Sequence, residues 1–276
     1  MKVQLIGFHG QTIIHKPKDG YSIQMGDANL LSQELKEKVV YNFRANDIKN
    51  NGEGAPLTPI YHKLLINKFK INNPTLILNI GGISNYTYCF NDTLAAKDIG
   101  PGNVLMDGYL KKTKGIDYDK NGDIASSGNI NKDIINQFYE HEFYNVQQKH
   151  SFDRNEFDFS FVKGLEFEDA VATLTYFTAL IISQNIKKNF DNEIEIILCG
   201  GGRRNLALVN HIKKLLKYKI KLIDEFSVDG DFIESQAFAY LSIRSYLNKI
   251  ISYPSTTNVL NPVTGCLLYT SDAADE

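Results

Sequence analysis

Residues 78–107 read LNIGGISNYTYCFNDTLAAKDIGPGNVLMD, from Leu78 to Asp107. Together with the residues just before it, this stretch holds three apolar runs, TLILNI, SNYTYCF and TLAAKDI. They are separated by tight turns, the pattern of three successive strands in a β-meander. Glycines follow the first run, at Gly81 and Gly82, and the third, at Gly100 and Gly102. Such turns let backbone N–H groups approach a phosphate closely, and a helix opening just beyond, expected here from Asn103 to Lys114, adds its positive end. Asp98 stands immediately ahead of the second turn. A helix cap is one reading, made less obvious by its separation from the expected helix start; a carboxylate placed to act on whatever the turns hold is the narrowly favoured other.

Working outward, the segment from Val3 to Phe43 alternates short apolar runs (VQLIG, TIIH, YSIQM, VVYNF) with turn residues, and a helical stretch from Asp27 to Lys36 interrupts them. A breaker-rich loop, Asn50 to Pro56, precedes a helix expected from Pro59 to Phe69, with Ile60, Leu64, Leu65 and Phe69 on one face. A domain boundary is expected at Asn72-Asn73-Pro74. Beyond the meander, helical periodicity recurs at 131–139, 168–190, 206–216 and 232–249, with a short strand at 193–199. Strands and helices thus mix throughout. The expected architecture is α/β in two lobes, with residues 1–74 in the N-terminal lobe and 75–265 in a C-terminal lobe carrying the nucleotide motifs.

Composition narrows the function. A net charge of -2 and a pI near 6.3 give no global attraction for nucleic acid or an anionic membrane, which leaves small-molecule chemistry as the better fit. No apolar run approaches the roughly 20 residues that span a bilayer, and the opening has too short an apolar core for a signal peptide, so a cytoplasmic location is expected. Cys89, Cys199 and Cys266 lack zinc-site spacing, and the six histidines show no ligand pattern. Asp117–Asp123 imitates the start of a calcium loop, but Gly128 occupies the twelfth position where a bidentate Glu is needed, so a polar surface turn is expected. No metal-ligand set is expected from the protein. The tail from Cys266 to Glu276, CLLYTSDAADE, resembles a translated sequencing adapter and reads as non-native.

Several further residues are candidates. IILCGGGRRN, residues 196–205, runs an apolar strand into Gly200, Gly201 and Gly202 just before a helix, which suits a nucleotide at the carboxyl end of a strand. A plain strand-to-helix turn explains the same pattern. His9 ends a strand beside Gly10 and Gln11, where its ring could reach a cleft, although a lone histidine is more often structural. Arg44 offers a guanidinium fork to a carboxylate, although a local ion pair with Asp47 accounts for it equally. Glu234 opens the last helix, where an acid is also a favourable dipole partner.

Taken together, GFHGQTIIHKP, VVYNFRANDI, GEGAPLTP, LNIGGISNYT, DIGPGNVLMD, CGGGRRN and ESQAFAYLS occur in the order found in anhydro-N-acetylmuramic acid kinases, which the chain resembles from Leu5 to Gly265. The resemblance implies a two-lobed actin-like ATPase fold of ribonuclease H-like type with a central nucleotide cleft. It implies phosphorylation of O6 of 1,6-anhydro-N-acetylmuramic acid by ATP while water opens the anhydro ring, in peptidoglycan recycling. Asp98 matches the base that activates the water. Gly81 and Gly82 match the segment near the β- and γ-phosphates; Gly200, Gly201, Gly202 and Asn205 match the adenosine side. His9, Gln11, Arg44 and Glu234 lie in motifs resembling the substrate-facing ones, Arg44 toward the lactyl carboxylate. Magnesium would arrive with ATP, held by phosphates and water. The family's DTGPGN reads Asp98-Ile99-Gly100 here, and its opening GTSxDG phosphate hairpin has no counterpart in this chain. Little or no turnover is therefore expected of the chain as it stands. Another sugar kinase of the same superfamily, or a non-catalytic nucleotide- or sugar-binding module, are the alternatives, and a homodimer is left open.

Overall fold

The computed structural model describes residues 3–147, 157–190, 193–265 and 268–269. In chain order the elements are β1 (Leu5–Phe8), β2 (Gln11–Lys16), β3 (Tyr21–Met25), α1 (Ala28–Leu35), β4 (Lys38–Tyr41), α2 (Ala45–Lys49), α3 (Pro59–Lys68), β5 (Thr75–Ile80), β6 (Ile83–Phe90) and β7 (Thr93–Pro101). They continue with α4 (Val104–Lys114), α5 (Asp123–Ser127), α6 (Lys132–Gln147), α7 (Phe167–Asn189), β8 (Glu195–Cys199), α8 (Leu206–Leu215), β9 (Lys219–Leu222), α9 (Ile233–Tyr246), β10 (Ile250–Ser252), α10 (Pro254–Thr257), β11 (Val263–Thr264) and β12 (Leu268–Tyr269).

Two compact units emerge: residues Met1–Ile71, Asp92–Ala96 and Phe232–Glu276 form one, and Asn72–Asn91 with Lys97–Asp231 form the other. The division after Ile71 falls beside the expected boundary. The return of the chain from Phe232 onward differs from the expectation, which kept 75–265 together. Its physical cause is α9, whose buried Ile233, Ala237, Phe238 and Leu241 pack it on β1, β4 and α3. In this first unit β1 and β4 pair in parallel and β12 runs antiparallel beside β4. The expected non-native tail, 266–276, lies outside the described residues except for the backbone of β12. A hairpin joins β2 to β3, and the Asp27 carboxylate accepts the N–H groups of Asn29 and Leu30 to cap α1.

The second unit is built on a five-stranded sheet of order β7-β6-β5-β8-β9. Counted within the unit, that order is 3-2-1-4-5. The first two strands run antiparallel and β5, β8 and β9 run parallel, the ribonuclease H-like arrangement that the resemblance implies. Continuous burial of β8 and near-continuous burial of β5 explains why they read as unbroken apolar runs rather than as alternating ones. Leu76, Leu78, Ile196 and Leu198 join Leu174, Phe177, Ile181 and Ile182 of α7 in one core. α7 packs against α4, α5, α6 and α8, so its apolar residues run nearly all round its surface instead of along one stripe.

Candidate active site

Because β5 and β8 are parallel and in register, Thr75 opposite Glu195 and Asn79 opposite Cys199, their carboxyl ends lie side by side. Each runs directly into glycines. The Gly81–Gly82 turn is bonded to the turn that opens α4: the N–H of Gly102 donates to Gly82 O (2.8 Å), that of Asn103 to Gly81 O (2.7 Å) and that of Val104 to Gly82 O (3.1 Å). This contact requires glycine at 102, since a Cβ there would stand 2.2 Å from Gly81 O. The Gly200 turn closes against the same place, because a Cβ on Gly200 would meet Ile80 O at 2.7 Å and one on Gly202 would meet Asn103 Oδ1 at 3.1 Å. Three glycine turns distant in sequence thus become one surface. Gly81 differs from Gly102: a Cβ at 81 would meet its nearest neighbour, Ile83 O, only at 3.5 Å, an ordinary contact. The fold does not demand glycine there.

A cavity of about 520 Å³ opens beside this surface. Asn103, which precedes α4, and Met106 and Asp107 of α4 line it, with Tyr118–Asn121, Gly201, Arg204, Asn205 and Asp231. Its lining was only partly legible in the sequence. Of the candidate nucleotide residues, Gly201 and Asn205 line it, and Asn205 also caps α8 by accepting the Leu208 N–H (3.0 Å). The segment 117–123, expected as a surface turn, contributes a wall instead. Asp119 is 6% exposed and its two oxygens accept the N–H groups of Ile124 (2.9 Å) and Ala125 (3.0 Å), which starts α5. Apolar periodicity carried no trace of this role. Asp107 and Asn103 stood in the opening stretch, yet a first-turn acid and an N-cap explain both locally, so nothing marked them as cavity residues.

Asp98 lies within β7, partly buried, and not in the turn that starts α4, whose N-cap is Asn103. Ile99 beside it is fully buried, and the Asn185 side chain donates to Ile99 O (3.1 Å). The Ile99 side chain therefore serves the core.

The remaining candidates belong to the first unit. Arg44 donates through Nη2 to His9 Nε2 (3.0 Å) and through Nη1 to Gly54 O (2.8 Å). Arginine has no acceptor, so His9 Nε2 must carry the lone pair; its Nδ1–H then donates to Gly10 O (2.8 Å). Burial, aided by the Arg44 charge, pushes His9 down to about 4, and the ring packs on Phe238 at 4.3 Å between centroids. Burial also lowers the Arg44 pKa against the opposing effects of the Glu234 and Asp47 charges. The Asp47 carboxylate accepts the Gly54 N–H (2.6 Å) and the Thr257 hydroxyl (2.5 Å), which shapes the loop that faces Arg44. Arg44 Nε is buried with no hydrogen-bond partner among the described residues. Glu234 is exposed in the first turn of α9, and Gln11 is exposed at the start of β2, its amide directed to Thr12 O (3.5 Å).

The model of the family described as Anhydro-N-acetylmuramic acid kinase matches residues 1–270. A protein of that name from Pelagibacter ubique (strain HTCC1062) is 52% identical over 277 residues, covering 96% of this chain and 74% of its own length. Another, from Zymomonas mobilis subsp. mobilis, is 40% identical over 265 residues, with 95% and 72% covered. A third, from Methylorubrum populi, is 38% identical over 267 residues, with 96% and 71% covered.

Proposed function

The chain belongs to the anhydro-N-acetylmuramic acid kinase family, and on that premise we propose that it transfers the γ-phosphoryl group of ATP to O6 of 1,6-anhydro-N-acetylmuramic acid as water opens the anhydro ring. The product is N-acetylmuramic acid 6-phosphate, for peptidoglycan recycling. One observation carries the reading: the turns at Gly81–Gly82, Gly102 and Gly200–Gly202 meet where two parallel strands end, beside a cavity of nucleoside size.

In this reading Gly81 and Gly82 receive the β- and γ-phosphates, and the absence of a side chain at Gly81 leaves room for them. Gly200–Gly202 and Asn205 bound the nucleoside. The cavity lining holds two cations, Lys120 and Arg204, against three carboxylates, Asp107, Asp119 and Asp231. Such a lining suits the uncharged nucleoside rather than the triphosphate. Magnesium accompanies the phosphates. When bound with them it would supply charge neutralisation for the transfer, and the chain's own residues bind and orient the reactants.

Asp98 takes a proton from water as its oxygen bonds to the anomeric carbon. The bond from that carbon to O6 breaks, and O6, left with the electron pair, attacks the γ-phosphorus while ADP departs. Arg44, with a spare buried N–H, meets the lactyl carboxylate, His9 fixes the guanidinium, and Gln11 and Glu234 bind the sugar. Neutral His9 adds no charge there.

Sugar-dependent ADP release, with mass analysis of the product, tests the proposal. In whichever form turns over, this chain or one extended upstream, Asp98→Asn is expected to lower kcat by about 10²–10⁴-fold, the range of a lost general base, with ATP and sugar binding retained. A fully active Asp98→Asn protein, or a product that keeps its anhydro ring, would overturn the assignment. Running the assay on this chain and on one extended upstream by a GTSxDG-containing segment tests whether turnover needs that segment.

A further inference from the structure

Arg203 does not line the cavity, yet its guanidinium is 3% exposed and holds two parts of the cavity wall together. Its Nε–H and one Nη2–H donate to the two oxygens of Asp224, at 2.7 and 3.0 Å. Nη1 donates to Asp231 Oδ1 at 2.8 Å and to Gly200 O at 3.0 Å. The other oxygen of Asp231 accepts from Arg204, which does line the cavity. One side chain thus ties the Gly200 turn to the segment from Asp224 to Asp231.

We propose that Arg203 is a positioning residue of the nucleotide site, setting the affinity for nucleotide without touching it. The inference rests on assigning the adjoining cavity to the nucleoside. Holding Gly200 O fixes the plane of the peptide it shares with Gly201, so the Gly201 N–H is aimed away from Arg203. Holding Asp231 fixes the carboxylate that places Arg204. Four bonds in a planar fork are within reach of guanidinium alone, because an ammonium has three donors on one atom and cannot grip a carboxylate bidentately while reaching two other oxygens. Gly230 completes the fit: a Cβ there would stand 2.3 Å from Arg203 Nε.

The test is calorimetric titration of the protein with ADP and, separately, with the anhydro-sugar, for the wild type, Arg203→Lys and Gly230→Ala. Gly230→Ala leaves every charge in place and only pushes the guanidinium aside, so it decides the matter if Arg203→Lys folds poorly. Both variants are expected to bind ADP at least tenfold more weakly and the sugar within twofold of wild type. Equal loss of both ligands would mark a merely structural role, and unchanged ADP affinity in folded Gly230→Ala would refute the positioning role. If wild type binds ADP without protecting the amides of residues 200–204 from hydrogen exchange, the nucleoside assignment itself fails.

Discussion

Buried histidines weaken this molecule toward acid. His62 is 2% exposed on α3, and burial pushes it down to about 4 from an ordinary 6.5. Above pH 6.5 the ring is neutral in both folded and unfolded chains. As pH falls from 6.5 to about 4 the unfolded chain takes up a proton that the folded one refuses, so stability drains away across that window and levels off below it. A shift of this size corresponds to at most about 3 kcal/mol. Urea unfolding at pH 7 and at pH 4.5 should show the loss, and His62→Gln should flatten it. His9, neutral by its hydrogen-bond pattern, adds a smaller effect in the same direction. Residue chemistry of this kind was only partly legible. The sequence marked His9 and Arg44 as candidates, but not that each would satisfy the other, since 35 positions separate them. Arg203 was passed over because its partners at 224 and 231 are joined to it by the fold and not by spacing.

At the scale of elements, apolar periodicity placed the meander and the long helices close to where they stand, because their burial is decided by the residues themselves. It erred on α3, where Leu64 is 39% exposed and the buried face instead includes Tyr61, His62 and Ile66. The buried face is completed by a phenol, bonded to Gln236 (2.6 Å), and an imidazole, neither of which an aliphatic pattern marks. It also missed β9, whose Lys219 and Lys221 break the apolar run but pair with the buried carboxylate of Glu195 on the adjacent strand. Turns separate into two kinds. Gly102→Ala drives a methyl into the Gly81 carbonyl and should cost about 1–3 kcal/mol, as overpacking does. Gly81→Ala meets no such obstacle. Its stability in urea should stay within about 1 kcal/mol of wild type while ATP binding weakens, if the space is kept for phosphate. A Gly81→Ala protein with undiminished ATP affinity would remove that turn from the phosphate site.

For the whole molecule, the return of α9 to the first unit was invisible to a left-to-right reading, because a domain boundary in sequence is a local feature and packing partners are not. Charge, in contrast, is a global property and could be read directly. A chain of net charge -2, with a cavity lined by two cations and three carboxylates, has no net positive charge to draw in a nucleotide triphosphate. Affinity must then come from short-range bonds at the glycine turns and from contacts with the nucleoside, which salt screens little. Association of a fluorescent ATP analogue, followed by stopped flow, should therefore show little electrostatic steering. Its rate should change by less than about threefold between about 0.05 and 0.3 M salt, because neither the net charge nor the cavity lining carries an excess of cations for salt to screen. Adenosine should compete with the analogue at a concentration that does not move with salt. A tenfold fall in the association rate over that range would instead reveal a cationic funnel and shift the nucleotide away from this cavity.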